Sequence, residues 1–166
     1  MTWILAIDPG PTESAWALVD ENNGALINWA KVPNDALLAH IDRTTADRLA
    51  VEMIASYGMA VGEEVFQTCV MVGRILERWS GSYFKRADPI LVYRKDVKLH
   101  LCGSPRAKDA NVRQALIDRY GPGKDKAIGL KSKPGPLYGL SGDGWAALGV
   151  ALTVADTRPQ IVQEAA

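Results

Sequence analysis

Three carboxylates that close or follow apolar runs constrain most strongly how this chain can fold. Asp8 ends the apolar run 3–7, Glu52 ends the run 49–51, and Asp143 stands just before an apolar helical stretch. Acidic residues at strand ends and helix starts converge if the strands are neighbours in one sheet. Converging carboxylates repel each other unless a cation joins them. The pattern therefore predicts a divalent-metal site, for which phosphoryl transfer is the commonest chemistry.

The first third of the chain predicts strands joined by tight turns. Residues 3–7, 14–19 and 25–32 read as three strands, separated by a Pro-Gly-Pro break and by the turn sequence Asn22-Asn23-Gly24. We expect these strands to form an antiparallel meander. A short helix over residues 35–41, with Asn34 as its cap, and a fourth strand over residues 49–53 follow.

After residue 63 the apolar period becomes helical. The predicted elements are helix 63–79, strand 90–93, helices 95–101 and 109–120, a mobile Lys/Gly/Pro-rich loop 124–138, and helix 144–156. This order predicts an α/β protein with a mixed five-stranded sheet flanked by helices. A first hairpin followed by alternating strands and helices is the pattern of the ribonuclease H-like fold. We expect one domain over residues 1–156 and a C-terminal tail over 157–166.

Composition and charge favour a globular protein with one core. The 166 residues are 48% hydrophobic and 23% charged, and 19 Lys and Arg balance 19 Asp and Glu. Most of the Lys and Arg fall between residues 85 and 133, so a basic surface can lie beside the predicted acidic pocket. Cys69 and Cys102 have no zinc spacing, and Cys69 is expected in the core. No signal peptide or membrane span is predicted, which favours a reducing, cytoplasmic setting.

Three segments together resemble a known family. Residues 4–10 (ILAIDPG), 50–52 (AVE) and 98–112 (KLHLCGSPRAKDANV) resemble the RuvC-type Holliday junction resolvases, and the phage-encoded members look closest. The resemblance extends from residue 3 to about residue 155. The opening Asp-Pro-Gly is a weak signal alone. The ordered set of opening aspartate, mid-chain glutamate, basic helix start and late aspartate is much more specific.

The resemblance implies a ribonuclease H-like fold, a homodimer, and Mg²⁺-dependent endonuclease action on four-way DNA junctions, with Mn²⁺ as a substitute. A bacterial cytoplasm or nucleoid is the implied location. By position, Asp8, Glu52 and Asp143 match metal ligands of the family. Bacterial members carry another aspartate where this chain has Ala146, so the fourth ligand is open between water and Asp109. Lys108 would be the lysine that faces the scissile phosphate, moved by one position.

Four basic residues are candidates for contacts with DNA phosphates or with the transition state. Charge that develops on a transferring phosphate is stabilised by Lys or Arg nearby. The alternative for each is an exposed helix charge with no partner role. Arg94 and Lys95 are weaker candidates. The four are Lys98, Arg106, Lys108 and Arg113.

The loop after Glu52 carries two candidates for contact with DNA bases. Tyr57 and Met59 have large side chains that could enter a junction and stack on a base. The resemblance implies a base-probing aromatic in this region, and Tyr57 is the nearest match by type. Packing of Tyr57 on helix 63–79 is the alternative. The outer face of that same helix is implied as the dimer interface.

Three other functions compete with a junction resolvase. A broader nuclease for branched DNA would use the same residues. A junction-binding module without cleavage is motivated by Ala146, where a carboxylate is missing. A phosphate-binding ATPase of the actin or sugar-kinase type shares the opening strand and turn, but this chain is too short for two such domains and has no second phosphate loop.

Overall fold

A central mixed sheet with helices on both faces organises the chain, for which this computed structural model describes residues 1–56, 58, 60–82 and 86–157. The strand order across the sheet is β3-β2-β1-β4-β5. Its strands are β1 (Trp3–Asp8), β2 (Glu13–Asp20), β3 (Leu26–Pro33), β4 (Arg48–Met53) and β5 (Ile90–Tyr93). The helices are α1 (Asn34–Arg43), α2 (Glu63–Ser80), α3 (Arg94–Cys102), α4 (Asp109–Tyr120), α5 (Lys124–Ala127) and α6 (Gly144–Asp156).

The direction of the strands decides where their ends meet. Strands β1, β2 and β3 form the predicted antiparallel meander, whereas β4 runs parallel to β1 and β5 runs parallel to β4. Ile7 pairs with Val51, and Met53 pairs with Tyr93. The carboxyl ends of β1, β4 and β5 therefore lie side by side at one edge of the sheet.

The sheet separates two hydrophobic cores, which explains why β1 is apolar at every interior position. Ile4 and Ala6 face the core formed with α3, α4 and α6, whereas Leu5 and Ile7 face the core formed with α1 and α2. A strand covered on both faces needs a continuous apolar run and not an alternating one. Helix α6 has buried residues in nearly every position, and it packs on β1 and β2.

The mixed sheet with flanking helices was predicted, but three local expectations were wrong. Asn34 is the first residue of α1 and makes no cap hydrogen bond, because its amide bonds the β1–β2 loop. Cys69 is exposed, since α2 turns Met71, Val72 and Ile75 toward the sheet. The segment 124–138 contains α5 and a small hairpin of β6 (Gly129–Leu130) and β7 (Lys133–Pro134) in place of a structureless loop.

Helices in the described ranges also lack the length and apolar content needed to cross a membrane. Helix α6 ends at Asp156 with Thr157 as its C-cap, and the rest of the predicted tail lies outside the described residues.

Candidate active site

Two of the predicted carboxylates meet at the sheet edge where the parallel strands end. Asp8 is the last residue of β1, and Glu52 follows Val51, the partner of Ile7, on β4. Both line a cavity of about 330 Å³ together with Gly10, Thr68 and Arg94. The sequence predicted this pairing from the two apolar runs. The parallel register of β1 and β4 is the physical reason for it.

Burial makes both carboxylates costly to ionise. Burial, followed by the charges of Glu52 and Asp143, raises the pKa of Asp8 from 3.8 to about 7. Burial also raises the pKa of Glu52, and the nearby Arg94 opposes that rise. The Oε2 atom of Glu52 is buried and has no hydrogen-bond partner. A buried oxygen without a donor is unfavourable unless a ligand supplies positive charge or a proton.

Asp143 approaches the same edge from the start of α6, but it is engaged by a lysine. Its Oδ2 atom lies 2.8 Å from Nζ of Lys31 on β3, and its side chain is half exposed. Asp143 occupies the N-cap position of α6 without a side-chain cap hydrogen bond. Its charge still reaches Asp8, whose pKa it raises. Asp143 therefore belongs to the acidic centre electrostatically while its carboxylate is paired with Lys31.

Arg94 is the residue that sequence reasoning undervalued. It follows β5 directly, so the parallel pairing of β4 and β5 brings it beside Glu52. Its Nη1 atom lies 3.7 Å from Glu52 Oε2, which is an ion-pair distance but too far for a hydrogen bond. This buried Nη1 atom has no hydrogen-bond partner. Its Nη2 atom donates a 2.9 Å hydrogen bond to Asp109 Oδ1. The signal in the sequence that could have identified Arg94 is its position directly after β5, the strand beside the one that carries Glu52.

Asp109 and Lys98 complete an ion-pair chain that begins at Glu52. Lys98 Nζ lies 3.3 Å from Asp109 Oδ1, the same oxygen that accepts from Arg94. The hydrogen bond from Arg94 and the charge of Lys98 lower the pKa of Asp109. Lys98 is partly buried in this chain. The structure thus pairs Lys98 with the exposed Asp109 carboxylate, so its charge is already partly used within the protein.

The remaining predicted phosphate contacts lie around the start of α4. Arg106 and Lys108 are exposed, and the backbone N–H of Lys108 donates to Asn111 Oδ1 at 2.9 Å. Lys108 lines neither of the cavities beside Asp8 and Asp143. The guanidinium of Arg113 lies 5.0 Å from the ring centre of Trp145, a cation–π distance. Tyr57 and Met59 lie outside the described residues, so their predicted contacts stay predictions.

A second cavity lies on the other side of Arg94. It measures about 340 Å³ and includes Ala146, the position without the fourth carboxylate. Arg94 lines both cavities and so stands between the acidic pair Asp8–Glu52 and the segment that carries Asp143. The other residues that matter in this second cavity are Asp109, Arg113, Asp143 and Trp145.

The side chains at this edge fit a divalent cation in part. The buried, unpartnered oxygen of Glu52 and the raised pKa of Asp8 are what a bound cation would relieve. Within the described ranges, no group of three potential ligands already shares one coordination sphere. Asp8 and Glu52 line the cavity in which a cation would be held, and Asp143 would join them after it releases Lys31.

A hydrogen-bond network holds the loop that follows Asp8. The buried hydroxyl of Ser14 accepts from Gly10 N at 3.2 Å and donates to Asn34 Oδ1 at 2.7 Å. Asn34 Nδ2 in turn donates to Gly10 O at 3.0 Å. A Cβ atom on Gly10 would collide with the carbonyl of Glu13. Both backbone polar groups of Gly10 are therefore satisfied in a tight turn that fixes the exit of β1.

Replacing Ser14 with alanine should destabilise the protein by about 1–3 kcal/mol, because it leaves the Asn34 amide oxygen and the Gly10 N–H without partners in a buried site. Urea unfolding followed by circular dichroism measures this loss. The matched control is Ser132→Ala in the exposed β6–β7 hairpin, which should stay within about 0.5 kcal/mol of the original protein. Equal stability of the two variants would contradict the role given to Ser14.

Solved structures with the same architecture as this chain are known. The chain is similar to the Thermus thermophilus RuvC structure, with a TM-score of 0.65 and 20% identity over 93% of each chain. It is also similar to T. thermophilus RuvC in complex with a Holliday junction substrate, with a TM-score of 0.67 and 19% identity over 93% of each chain. No protein-family model and no curated protein matches the sequence. The chain therefore has the ribonuclease H-like fold seen in RuvC, as its sequence predicted.

Proposed function

We propose that this protein is a divalent-metal-dependent endonuclease that resolves four-way DNA junctions. The observation that carries the proposal is the pair of largely buried carboxylates, Asp8 and Glu52, at the carboxyl edge of the parallel strands. They lie in a fold shared with T. thermophilus RuvC, which has been seen with a Holliday junction substrate. The chemistry and the fold support the same conclusion independently. The site of action would be the cytoplasm or nucleoid of a bacterial cell, and the protein would be phage-borne.

Asp8 and Glu52 would hold Mg²⁺ or Mn²⁺, and Asp143 would join them once Lys31 releases it. The chemistry that a cation would supply there is activation of a water and stabilisation of the leaving oxygen of a phosphodiester. The network around Gly10 fixes the exit of β1, so Asp8 is held in place before substrate arrives.

The basic residues around α4 suit the DNA backbone. Arg106 and Lys108 are exposed in the turn that leads into α4, and Arg113 projects over Trp145 beside the second cavity. Phosphate contacts of this kind position DNA without reading its sequence. Lys108 would approach the scissile phosphate, and Tyr57 and Met59 would contact unpaired bases, as proposals from the family resemblance.

A homodimer suits the task, because two symmetric nicks need two sites related by a two-fold axis. The outer face of α2 supports this proposal. Phe66 is 62% exposed and Val70 is 66% exposed, one helical turn apart on the same side. Exposed apolar side chains that line up in this way are typical of a protein interface.

The test is cleavage of a labelled four-way junction, compared with a flap, a fork and a linear duplex, in Mg²⁺, Mn²⁺ or EDTA. We expect paired nicks on the junction alone, lost with EDTA and in Asp8→Asn. Cleavage of every branched substrate would replace the proposal with a broader nuclease. Tight junction binding without cleavage would favour a binding module, the alternative that Ala146 and the Asp143–Lys31 pair support.

A further inference from the structure

Arg94 divides the acidic centre into two unequal halves. On one side lie Asp8 and Glu52, and on the other lie Asp109, Asp143 and Ala146. The first half keeps a buried carboxylate oxygen, Glu52 Oε2, without any hydrogen bond. The halves therefore differ in how closely their carboxylates meet a cation: Glu52 lies 3.7 Å from Arg94, whereas Asp109 and Asp143 lie 2.9 Å and 2.8 Å from theirs.

The carboxylates in the second half are already neutralised by side chains. Asp109 is bonded to Arg94 at 2.9 Å and lies 3.3 Å from Lys98. Asp143 lies 2.8 Å from Lys31. At position 146, where a further carboxylate would project into the same cavity, the chain has only a methyl group. A divalent cation binds oxygen ligands with uncompensated charge, and both carboxylates of this half already face a side-chain cation.

Arg94 supplies permanent positive charge at this place. A guanidinium does not lose its proton in proteins, and its planar fork can bond two oxygens at once. One arm is used by Asp109, whereas Nη1 is buried beside Glu52 without a hydrogen bond. A buried donor with no acceptor is unfavourable unless a ligand oxygen completes it.

We propose that Arg94 is a built-in cation of this centre, standing on the side that Ala146 leaves without a carboxylate, so that the centre binds one divalent ion per protomer. The inference rests on the proposed metal-dependent nuclease. It adds that one divalent ion binds per protomer and that Arg94 takes the place of a second ion.

The test counts bound Mn²⁺ by electron paramagnetic resonance on the full protein without DNA. We expect one ion per protomer in the original protein and in Ala146→Asp, because Arg94 neutralises the new carboxylate. The double variant Arg94→Gln/Ala146→Asp should bind two ions. Arg94→Gln alone should bind one ion about tenfold more tightly, because a neighbouring positive charge is gone.

Two further variants separate the charge of Arg94 from its role in folding. Arg94→Lys keeps a cation and should bind one ion with nearly the original affinity. Arg43→Gln, an identical change on the exposed end of α1, should leave both the number and the affinity unchanged. Position 146 lies in the first turn of α6, where a new aspartate is favourable for a helix, so Ala146→Asp should fold.

Each other outcome overturns the inference in a recognisable way. Two ions in the original protein, or two in Ala146→Asp alone, would mean that Arg94 does not replace a metal ion. One ion in the double variant would mean that Arg94 does not control the second position. These results would leave metal-dependent cleavage intact, whereas an original protein that binds no Mn²⁺ and cuts no junction would overturn the proposed function as well.

Discussion

Replacing Asp8 with asparagine should abolish junction cleavage and, at the same time, raise the stability of the metal-free protein. Asp8 is largely buried beside Glu52 and within reach of the charge of Asp143, and its pKa is raised from 3.8 to about 7. At pH 8 the folded protein must therefore keep a carboxylate ionised where ionisation is costly. Asparagine has nearly the same shape without the charge, so it removes the cost and also removes a metal ligand.

The sign of the pH dependence follows from the direction of this shift. Because the folded state holds the proton of Asp8 more tightly than the unfolded chain, the cost appears as the pH rises above 3.8 and is complete above about 7. The full shift corresponds to about 4 kcal/mol. We expect Asp8→Asn to gain about 2 kcal/mol at pH 8, because the fold relaxes around a buried charge, and clearly less at pH 5.

Urea unfolding in EDTA at pH 5 and pH 8 measures this difference, and the junction assay with Mg²⁺ measures the loss of activity. Asp125→Asn on the exposed helix α5 is the matched control and should change neither. A loss of activity of about a thousandfold or more is expected for a ligand that holds the reacting ion. An Asp8→Asn protein that is less stable than the original at pH 8 would show that the Asp8 carboxylate stabilises the fold through a structural partner and does not destabilise it.

The two carboxylates could be found from sequence because their signal is local. An apolar run covered on both faces has no structural use for a terminal carboxylate such as Glu52, so the residue type alone pointed to a site. The turn sequence Asn22–Gly24 likewise predicted part of the antiparallel meander that the structure contains. Such features depend on a few neighbouring residues and on the alternation of burial.

Arg94 and Lys31 were harder to find because their positions depend on strand register. Arg94 reaches Glu52 only since β5 pairs in parallel with β4, with Met53 opposite Tyr93. Lys31 reaches Asp143 from β3 across the start of α6. Neither residue has a motif of its own. Long-range pairing of this kind is set by tertiary packing and cannot be deduced from periodicity.

Asn34 and helix α2 show a different limit. Asparagine before a helix is a favoured cap, but here its amide finds better partners in Ser14 and Gly10. On α2, apolar residues occupy two faces, and periodicity does not say which face meets the sheet. Met71, Val72 and Ile75 are buried, whereas Phe66 and Val70 are exposed.

The exposed face of α2 leads to the second large expected effect, conversion of the protein from a dimer to a monomer by Phe66→Glu/Val70→Glu. Phe66, Cys69, Val70 and Gly73 follow the helical spacing of one stripe, and a groove of about 850 Å³ runs beside Val70 and Gly73. Two copies of such a stripe can pack across a two-fold axis. Four glutamates would meet there in the variant and would repel one another.

Size-exclusion chromatography with light scattering should give a dimer for the original protein and a monomer for the double variant. Both side chains are largely exposed in the protomer, so its unfolding free energy should change by less than about 0.5 kcal/mol per site. Leu130→Glu, a change at another exposed leucine in the β6–β7 hairpin, is the control and should stay dimeric.

The junction assay then links assembly to function. A monomer keeps Asp8, Glu52 and Arg94, so it should still bind Mn²⁺. It cannot place two active sites on opposite strands of one junction, so paired nicks should give way to single, slow nicks. A double variant that remains dimeric would move the interface away from α2. A monomeric original protein that makes paired nicks would show that paired cleavage does not need a two-fold dimer.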